Sequence, residues 1–269
     1  MQMDCLVEVF SKLGLDDLAV AVPFVCKSWR AAAFHPLCWK KLDFRRLDLL
    51  PWSHFCKDFT LQYSLPYFSF SSLLRLTINR GRKSATQIRF PLKSTSLQDL
   101  AYASNECPKL RSVSIPVMSS SEEVQISKLV CKWKDLEELE LESKPSNFLE
   151  LAENISMNCK NFCGLMVSSS IREEDAIAMA RYLPKLKRLE LRRSYLRKEE
   201  LLIILNGCRE LERLSLKDCI GFDGNEREIL AKVSQIKEFK SEGCKLYYEH
   251  SYEFDDDFSS GCTLYGFVH

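Results

Sequence analysis

Apolar residues recur along most of this chain as a triplet, L-x-x-L-x-L in outline, with polar residues between them. The copies are Leu73, Leu76, Ile78; Leu110, Val113, Ile115; Leu136, Leu139, Leu141; Phe162, Leu165, Val167; Leu186, Leu189, Leu191; Leu211, Leu214, Leu216; and a worn Ile236, Phe239, Ser241. Their first positions lie 37, 26, 26, 24, 25 and 25 residues apart. So even a spacing is the mark of a repeat architecture. Residues two apart in a strand share a face, so Leu139 and Leu141 point one way while Glu138, Glu140 and Glu142 point the other. Trp39, Leu42, Phe44, which starts 34 residues before Leu73, is an earlier and looser copy.

Between the triplets the spacing turns helical. Phe148, Leu149, Ala152 and Ile155 mark a helix within 146–159, and Ala176, Ile177, Ala180 and Leu183 mark another within 173–183. Pro145-Ser146 signals the first start, and Ser170-x-x-Glu173 reads as a capping box for the second. A unit of about 25 residues with one short strand and one helix cannot bury its own apolar face. The expected fold is therefore an α/β solenoid, with parallel strands on the concave face and helices on the convex face. The 37-residue interval after Leu73 exceeds one unit by about eleven residues, and 88–91 is expected there as an extra strand or loop. The stretch 48–70 is rich in aromatics (Trp52, Phe55, Phe59, Tyr63, Tyr67, Phe68, Phe70). It reads as an irregular first repeat, with a ligand-binding aromatic loop as the other reading.

Residues 4–44 do not follow the repeat. Leu6, Val9, Phe10 and Leu13 share a helical face, and after Gly14 a second series runs Leu18, Val22, Val25, Trp29. Pro23 divides that series into two short helices, and Pro36 ends the helical part. Three short helices make a poor independent core, so these side chains either form the core of a small subdomain or wait for a partner.

The composition narrows the functions. In 269 residues, 38 Lys and Arg balance 37 Asp and Glu to a net +1, which leaves no large positive field for nucleic acid. Nine glycines make a phosphate-cradling loop improbable. The start Met1-Gln2-Met3-Asp4 has neither the basic nor the apolar part of a secretory leader, and the longest uncharged apolar run, 18–26, is too short to span a bilayer. A cytoplasmic or nuclear protein without a membrane segment is expected, with its twelve cysteines reduced. Cys107, Cys159 and Cys208 each precede a strand start by three residues and, with Cys219 and Cys244, are assigned to one recurring buried niche. There is no C-x-x-C, and Cys159-x-x-x-Cys163 has no histidine beside it, so no metal and no cofactor is expected. The four histidines, His35, His54, His250 and His269, stand in no catalytic context, so no enzyme is expected either.

The repeat resembles the cysteine-containing leucine-rich repeats over roughly 73–244. That family wants Cys or Asn three residues after the last strand leucine. Cys219 and Cys244 comply, Ser170 and Ser194 substitute, and Gly81, Met118 and Lys144 depart. The N-terminal string resembles an F-box through Asp4-Cys5-Leu6-Val7, Leu15-x-x-Leu18, Val25-Cys26-Lys27-Ser28-Trp29 and Pro36-x-x-Trp39-x-x-Leu42-Asp43-Phe44. The whole chain looks like a plant-type F-box/LRR-repeat protein. The resemblance implies a non-catalytic substrate receptor of an SCF-type cullin–RING ubiquitin ligase, with the box on the Skp-type adaptor and the repeats on a target protein. It also implies adaptor anchors at Leu6, Val9, Phe10, Leu13, Leu18, Val25, Cys26 and Trp29, and a junction to the first repeat at Pro36, Trp39 and Leu42. The implied division is 1–44 box, 45–245 repeats and 246–269 tail or cap. The family opens with a tryptophan and Leu-Pro, whereas Met1 and Gln2 occupy the Leu-Pro positions here, so the box reads as clipped at its start.

The outward strand positions gather Arg188, Glu190, Arg192, Arg213, Ser215 and Lys217 on one face, beyond an acidic strand of Glu138, Glu140 and Glu142. They read either as ordinary solvated residues or as a target face whose Arg188, Arg192, Arg213 and Lys217 hold an acidic partner segment. The rival readings are a free-standing repeat scaffold that engages no ligase and a cysteine hydrolase; a hormone-sensing receptor is a narrower form of the ligase reading. The tail 249–269 contains Asp255-Asp256-Asp257 and lacks the spacing of a calcium loop.

Overall fold

The computed structural model describes residues 3–246. The expected calls on Met1 and Gln2 and on the tail beyond 246 lie outside these residues. From the N-terminus, α1 (Met3–Phe10), a π-helical turn (Asp17–Ala21), a 3-10 turn (Val22–Phe24) and α2 (Lys27–Ala33) lead through the 3-10 turn Pro36–Trp39 to the first strand. The strands are β1 (Lys41–Asp43), β2 (Gln87–Arg89), β3 (Ser112–Ile115), β4 (Glu138–Leu141), β5 (Gly164–Val167), β6 (Arg188–Arg192), β7 (Arg213–Lys217) and β8 (Glu238–Glu242). They form one sheet in strict sequence order, β1 to β8, and every pair is parallel. The return helices are α3 (His54–Gln62) and α4 (Phe70–Arg80), then α5 (Leu97–Glu106), α6 (Ser120–Glu123), α7 (Ile126–Val130), α8 (Phe148–Asn158), α9 (Glu173–Tyr182), α10 (Lys198–Gly207) and α11 (Arg227–Val233). This is the expected α/β solenoid.

Register explains why the sheet holds. Leu42, Ile88, Val113, Leu139, Leu165, Leu189, Leu214 and Phe239 lie opposite one another from strand to strand. They form a continuous aliphatic column, buried as far as Leu214. Each side chain is covered by its neighbours above and below and by the helices behind. A slip of one residue would turn the whole column to solvent, so burial enforces the register.

The structure corrects the first triplet. Leu73, Leu76 and Ile78 belong to α4, where Phe70, Leu73, Leu74, Thr77 and Ile78 make one buried helical face. Three-then-two spacing suits a strand, but 70, 73, 74, 77 and 78 is the stripe of a helix, and the longer pattern wins. The true copy is Ala85, Ile88, Phe90, which lies 25 residues before Leu110 and restores the period. The chain from β1 to β2 therefore carries two helices, α3 and α4, in one oversized unit. Its aromatics fill the core: Phe70 packs edge-on against Phe44 at 5.1 Å, and Phe59 lies 4.8 Å from Tyr63. Trp52 and Tyr67 stay outside the core.

Two local expectations also change. Helix α9 is not capped by Ser170: its N-cap is Arg172, whose backbone N–H donates to Asp175 at 2.9 Å. A carboxylate at the third helical position recurs in Asp99 of α5, Glu150 of α8, Asp175 and Glu200 of α10, a column that complements the helix dipole. The cysteines occupy two niches, not one. Cys159 and Cys208 end their helices and donate to carbonyls of the preceding unit, Trp133 at 3.4 Å and Leu183 at 3.6 Å. Cys219 and Cys244 follow strands and donate to Leu191 and Leu216, each at 3.4 Å.

Burial pushes the Cys107, Cys159 and Cys208 thiols up to about 12, whereas the Ser28 hydroxyl lowers the exposed Cys26. Under native conditions at neutral pH, iodoacetamide followed by mass spectrometry should modify Cys5 and Cys26 first. It should leave Cys107, Cys159 and Cys208 unmodified until the chain is denatured.

Candidate functional site

Two surfaces of this architecture face outward with unspent chemistry: one side of the N-terminal helical box and the concave sheet. In the box, α1 turns Leu6, Val7 and Phe10 inward and Met3 and Val9 outward. The eight expected anchors therefore divide. Leu6, Phe10 and Leu18 are core residues, Leu13 is half-buried against the core, and only Val9, Val25, Cys26 and Trp29 remain exposed. Leu6, Phe10 and Leu18 are thus spent on the box's own core.

The cause is partly local and partly distant. Pro23 breaks the helical phase between the π turn and the 3-10 turn. This sends Val22 inward while Phe24 and Val25 go outward. From afar, the oversized first unit closes over the second segment: Tyr63 Oη–H donates to the Ala19 carbonyl at 2.6 Å, and Arg80 to the Leu18 carbonyl at 3.4 Å. Phe24 and Met3 join the exposed apolar strip and were missed. The signal for Phe24 was its place in an apolar run straight after Pro23. Trp29 sits edge-on against Phe10 at 5.2 Å, which holds its ring while leaving it 36% exposed; Val9 and Val25 are 53% and 60% exposed.

The three junction residues lie where the box meets the first strand. Trp39 and Leu42 are fully buried and Pro36 is half-buried. Trp39 Nε1–H donates to the Ala33 carbonyl at 2.8 Å, and the Arg80 guanidinium lies 5.2 Å from its ring. Because β1 also pairs with β2, the box is fastened directly to the sheet.

On the concave face, the expected columns are present. Glu138, Gly164, Arg188, Arg213 and Glu238 lie in one row, and Glu140, Met166, Glu190, Ser215 and Lys240 in the next. A shallow cavity of about 560 Å³ runs along them. Much of the expected charge is neutralised within the chain. Arg188 reaches across β5 to Glu138 at 2.6 Å, and Arg192 pairs with Glu190 on its own strand. Gly164 gives this pair room, since a Cβ there would stand 3.0 Å from Glu138 Cγ and 3.4 Å from Arg188 Nε. Arg188, Glu190 and Arg192 are therefore not the free target contacts expected. Arg213 and Lys217 are exposed and, among the described residues, have no carboxylate within 4 Å; Ser215 lies half-buried between them.

The acidic strand is filled by a residue the sequence reading passed over. Arg45, just after β1, is only 14% exposed and pairs with Glu140 and Glu142, each at 2.8 Å. Its Nε–H also donates to the Phe90 carbonyl at 3.0 Å. Glu140 accepts the Ser114 hydroxyl as well, and Arg89 stands 3.4 Å away. Burial by itself would raise the Glu140 carboxyl. Ser114, Arg45 and Arg89 together outweigh it and leave the group below the usual carboxylate range. Among the described residues, no three His, Cys, Asp or Glu side chains group as a metal site would require, and no helix is long and apolar enough to cross a membrane.

The architecture is a helical box with exposed apolar side chains, fused to a parallel strand–helix solenoid with a charged concave sheet. Comparison with known proteins agrees. The F-box-like family model matches residues 3–45. An F-box/LRR-repeat protein of Arabidopsis thaliana is 31% identical over 225 residues, covering 80% of this chain and 70% of the relative. The Arabidopsis F-box protein SKIP1 is 26% identical, with 88% of this chain and 83% of that protein covered, and F-box protein FBW2 is 29% identical over 80% and 66%. The chain belongs to the plant F-box/LRR-repeat family. At family level its role is that of an SCF-type F-box substrate adaptor, which is in general non-catalytic.

Glu140 is held below its ordinary value, so its contribution to stability is present above the unfolded carboxylate pKa and is lost as pH falls through the folded one. Urea denaturation of Arg45→Ala should show a loss of up to about 3 kcal/mol at pH 7, since a largely buried carboxylate loses its partner. The deficit should shrink as the pH falls below the usual carboxylate range, where Glu140 protonates. A deficit independent of pH would mean that Arg45 acts through packing alone.

Proposed function

We propose that this chain is the target-recognition subunit of an SCF-type ubiquitin ligase, gripping a Skp-type adaptor with residues 1–44 and presenting a target on the repeats of 45–245. The observation that carries this reading is the exposed strip of Met3, Val9, Phe24, Val25 and Trp29 inside the segment that the F-box-like family matches. A folded box that leaves these side chains, and Leu37 as well, in water has a reason to do so if another polypeptide covers them. Each such side chain contributes about 1.5–3 kcal/mol on burial, before the cost of association.

The mechanism is proximity. The adaptor ties the box to a cullin, the solenoid holds the target, and a ubiquitin-charged enzyme elsewhere in the complex performs the transfer. No acid, base or nucleophile of this chain takes part. Trp39, wedged between the box and β1, keeps the two grips at a fixed distance, so a target held on the sheet stands at a defined place relative to the cullin. The target side falls to the C-terminal half of the concave sheet, where Arg213, Ser215 and Lys217 lie open, because Arg45 and Arg89 fill the other half. A cytoplasmic or nuclear setting suits its free thiols.

Co-expression with a Skp-type adaptor tests the reading. The intact chain should retain the adaptor on affinity purification, and Val9→Asp and Val25→Asp should each lower retention by about tenfold or more, as expected when one buried side chain is lost. Both positions are exposed, so thermal melting should not change. An intact chain that retains no adaptor would make this protein a free repeat scaffold instead.

A further inference from the structure

Two of the cysteines stand directly opposite each other on neighbouring strands. The β7–β8 register runs from Arg213 opposite Glu238 to Lys217 opposite Glu242 and resumes with Ile220 opposite Lys245, which places Cys219 opposite Cys244. The backbone is pinned on both sides of the pair: Asp218 N–H donates to the Glu242 carbonyl at 2.8 Å, and Lys245 N–H to the Cys219 carbonyl at 2.9 Å. Adjacent strands lie about 4.8 Å apart, inside the window of about 4.4–6.8 Å between Cα atoms that a disulfide needs. The residues just before them, Asp218 at φ 52° and Gly243 at φ 68°, are both left-handed, so the two side chains leave their strands by the same turn. Their thiols make equivalent bonds one unit apart, to the Leu191 and Leu216 carbonyls, and those two leucines are in register as well.

The other cysteine niche has no such pair. Cys107, Cys159 and Cys208 end alternate units, and Trp133 and Leu183 hold the equivalent place in the units between them. Within the Cys219–Cys244 pair the two thiols differ. Cys219 is fully buried, and Cys244 is half-buried, within reach of a small oxidant. The Cys219 side chain lowers Cys244 against the opposing effect of burial, with help from the Cys219 backbone N–H, while Cys219 itself is raised. The strand they flank is also the least secured of the sheet. At its inward positions β8 carries Phe239, half-buried, and Ser241, where β7 has the buried Leu214 and Leu216.

We propose that Cys219 and Cys244 form a redox clasp, joined by a hydroperoxide into a disulfide that fastens β8 to β7 and opened again by a dithiol. The Cys244 thiolate attacks one oxygen of the hydroperoxide. An S–O bond forms as the O–O bond breaks, and the other oxygen takes up the proton that Cys244 gave up and leaves as alcohol, or as water from hydrogen peroxide. The Cys219 sulfur then attacks the Cys244 sulfur. The S–S bond forms as the S–O bond breaks, and the departing hydroxide carries off the Cys219 proton as water. Two electrons pass from the thiols to the hydroperoxide. Each sulfur turns away from its carbonyl to reach the other, which gives up only weak S–H bonds. The clasp stands whether or not the chain serves a ligase.

Hydrogen peroxide treatment of the intact native chain tests this, with the dose raised until the exposed Cys5 and Cys26 are oxidised. Alkylation, trypsin and mass spectrometry without reductant follow. The tryptic peptides 218–227 and 241–245 each hold one member of the pair. They should appear joined, two hydrogens lighter than their sum, in protein of monomer mass and at least tenfold more abundant than any link to Cys107, Cys159 or Cys208. In the oxidised chain, amide hydrogen exchange over 238–242 should slow at least fivefold, and dithiothreitol should restore the first rate. In Cys244→Ser, oxidation should leave that exchange unchanged and Cys219 a free thiol. Peptides 218–227 and 241–245 that stay separate while Cys5 and Cys26 are oxidised would overturn the proposal. So would Cys244 joined to any other cysteine, of the same or a second chain, or a joined pair with unchanged exchange over 238–242.

Discussion

Each strand of this protein is too short to bury its own inward side chains, and everything else follows from that. Leu139 is dry only because Val113 and Leu165 lie against it in register and helices cover it from behind. The chain is therefore obliged to keep step from β1 to β8, and every outward residue is drawn up in rows as a by-product. Function on the concave face is read from those rows, yet no outward residue was needed to make them.

The same constraint accounts for the oversized first unit. A box of two α-helices and three irregular turns has too little core to stand alone, and the chain between β1 and β2 carries two helices instead of one. Tyr63 and Arg80 from that unit satisfy the Ala19 and Leu18 carbonyls, and Arg80 lies over Phe34 and Trp39. The box is finished by the solenoid. The solenoid leaves Val9, Phe24, Val25 and Trp29 exposed.

Charge is arranged with the same economy of contact. Arg45 crosses from the end of β1 to a strand 95 residues away and removes Glu140 and Glu142 from the open surface. Arg188 does likewise for Glu138, over a strand whose Gly164 leaves room. A sheet that looks in sequence like alternating acidic and basic strands is thus mostly self-neutralised, and on β7 Arg213 and Lys217 stand in register with Glu238 and Glu242 of β8.

The repeat, its period and the identity of the box were legible in the sequence because alternation and spacing are local properties of the backbone: Leu189 and Leu191 must share a face whatever else happens. The Leu73 triplet misled because its spacing suits both periods, and the true copy begins with Ala85, a weak apolar signal. The box motif named the module but not the orientation of its side chains, since a π turn and Pro23 reset the helical phase and put Leu18 in the core and Val25 in water. Which charges remain free was decided only in three dimensions. An ion pair depends on which strands come within reach across the sheet, and no local pattern relates Arg45 to Glu140.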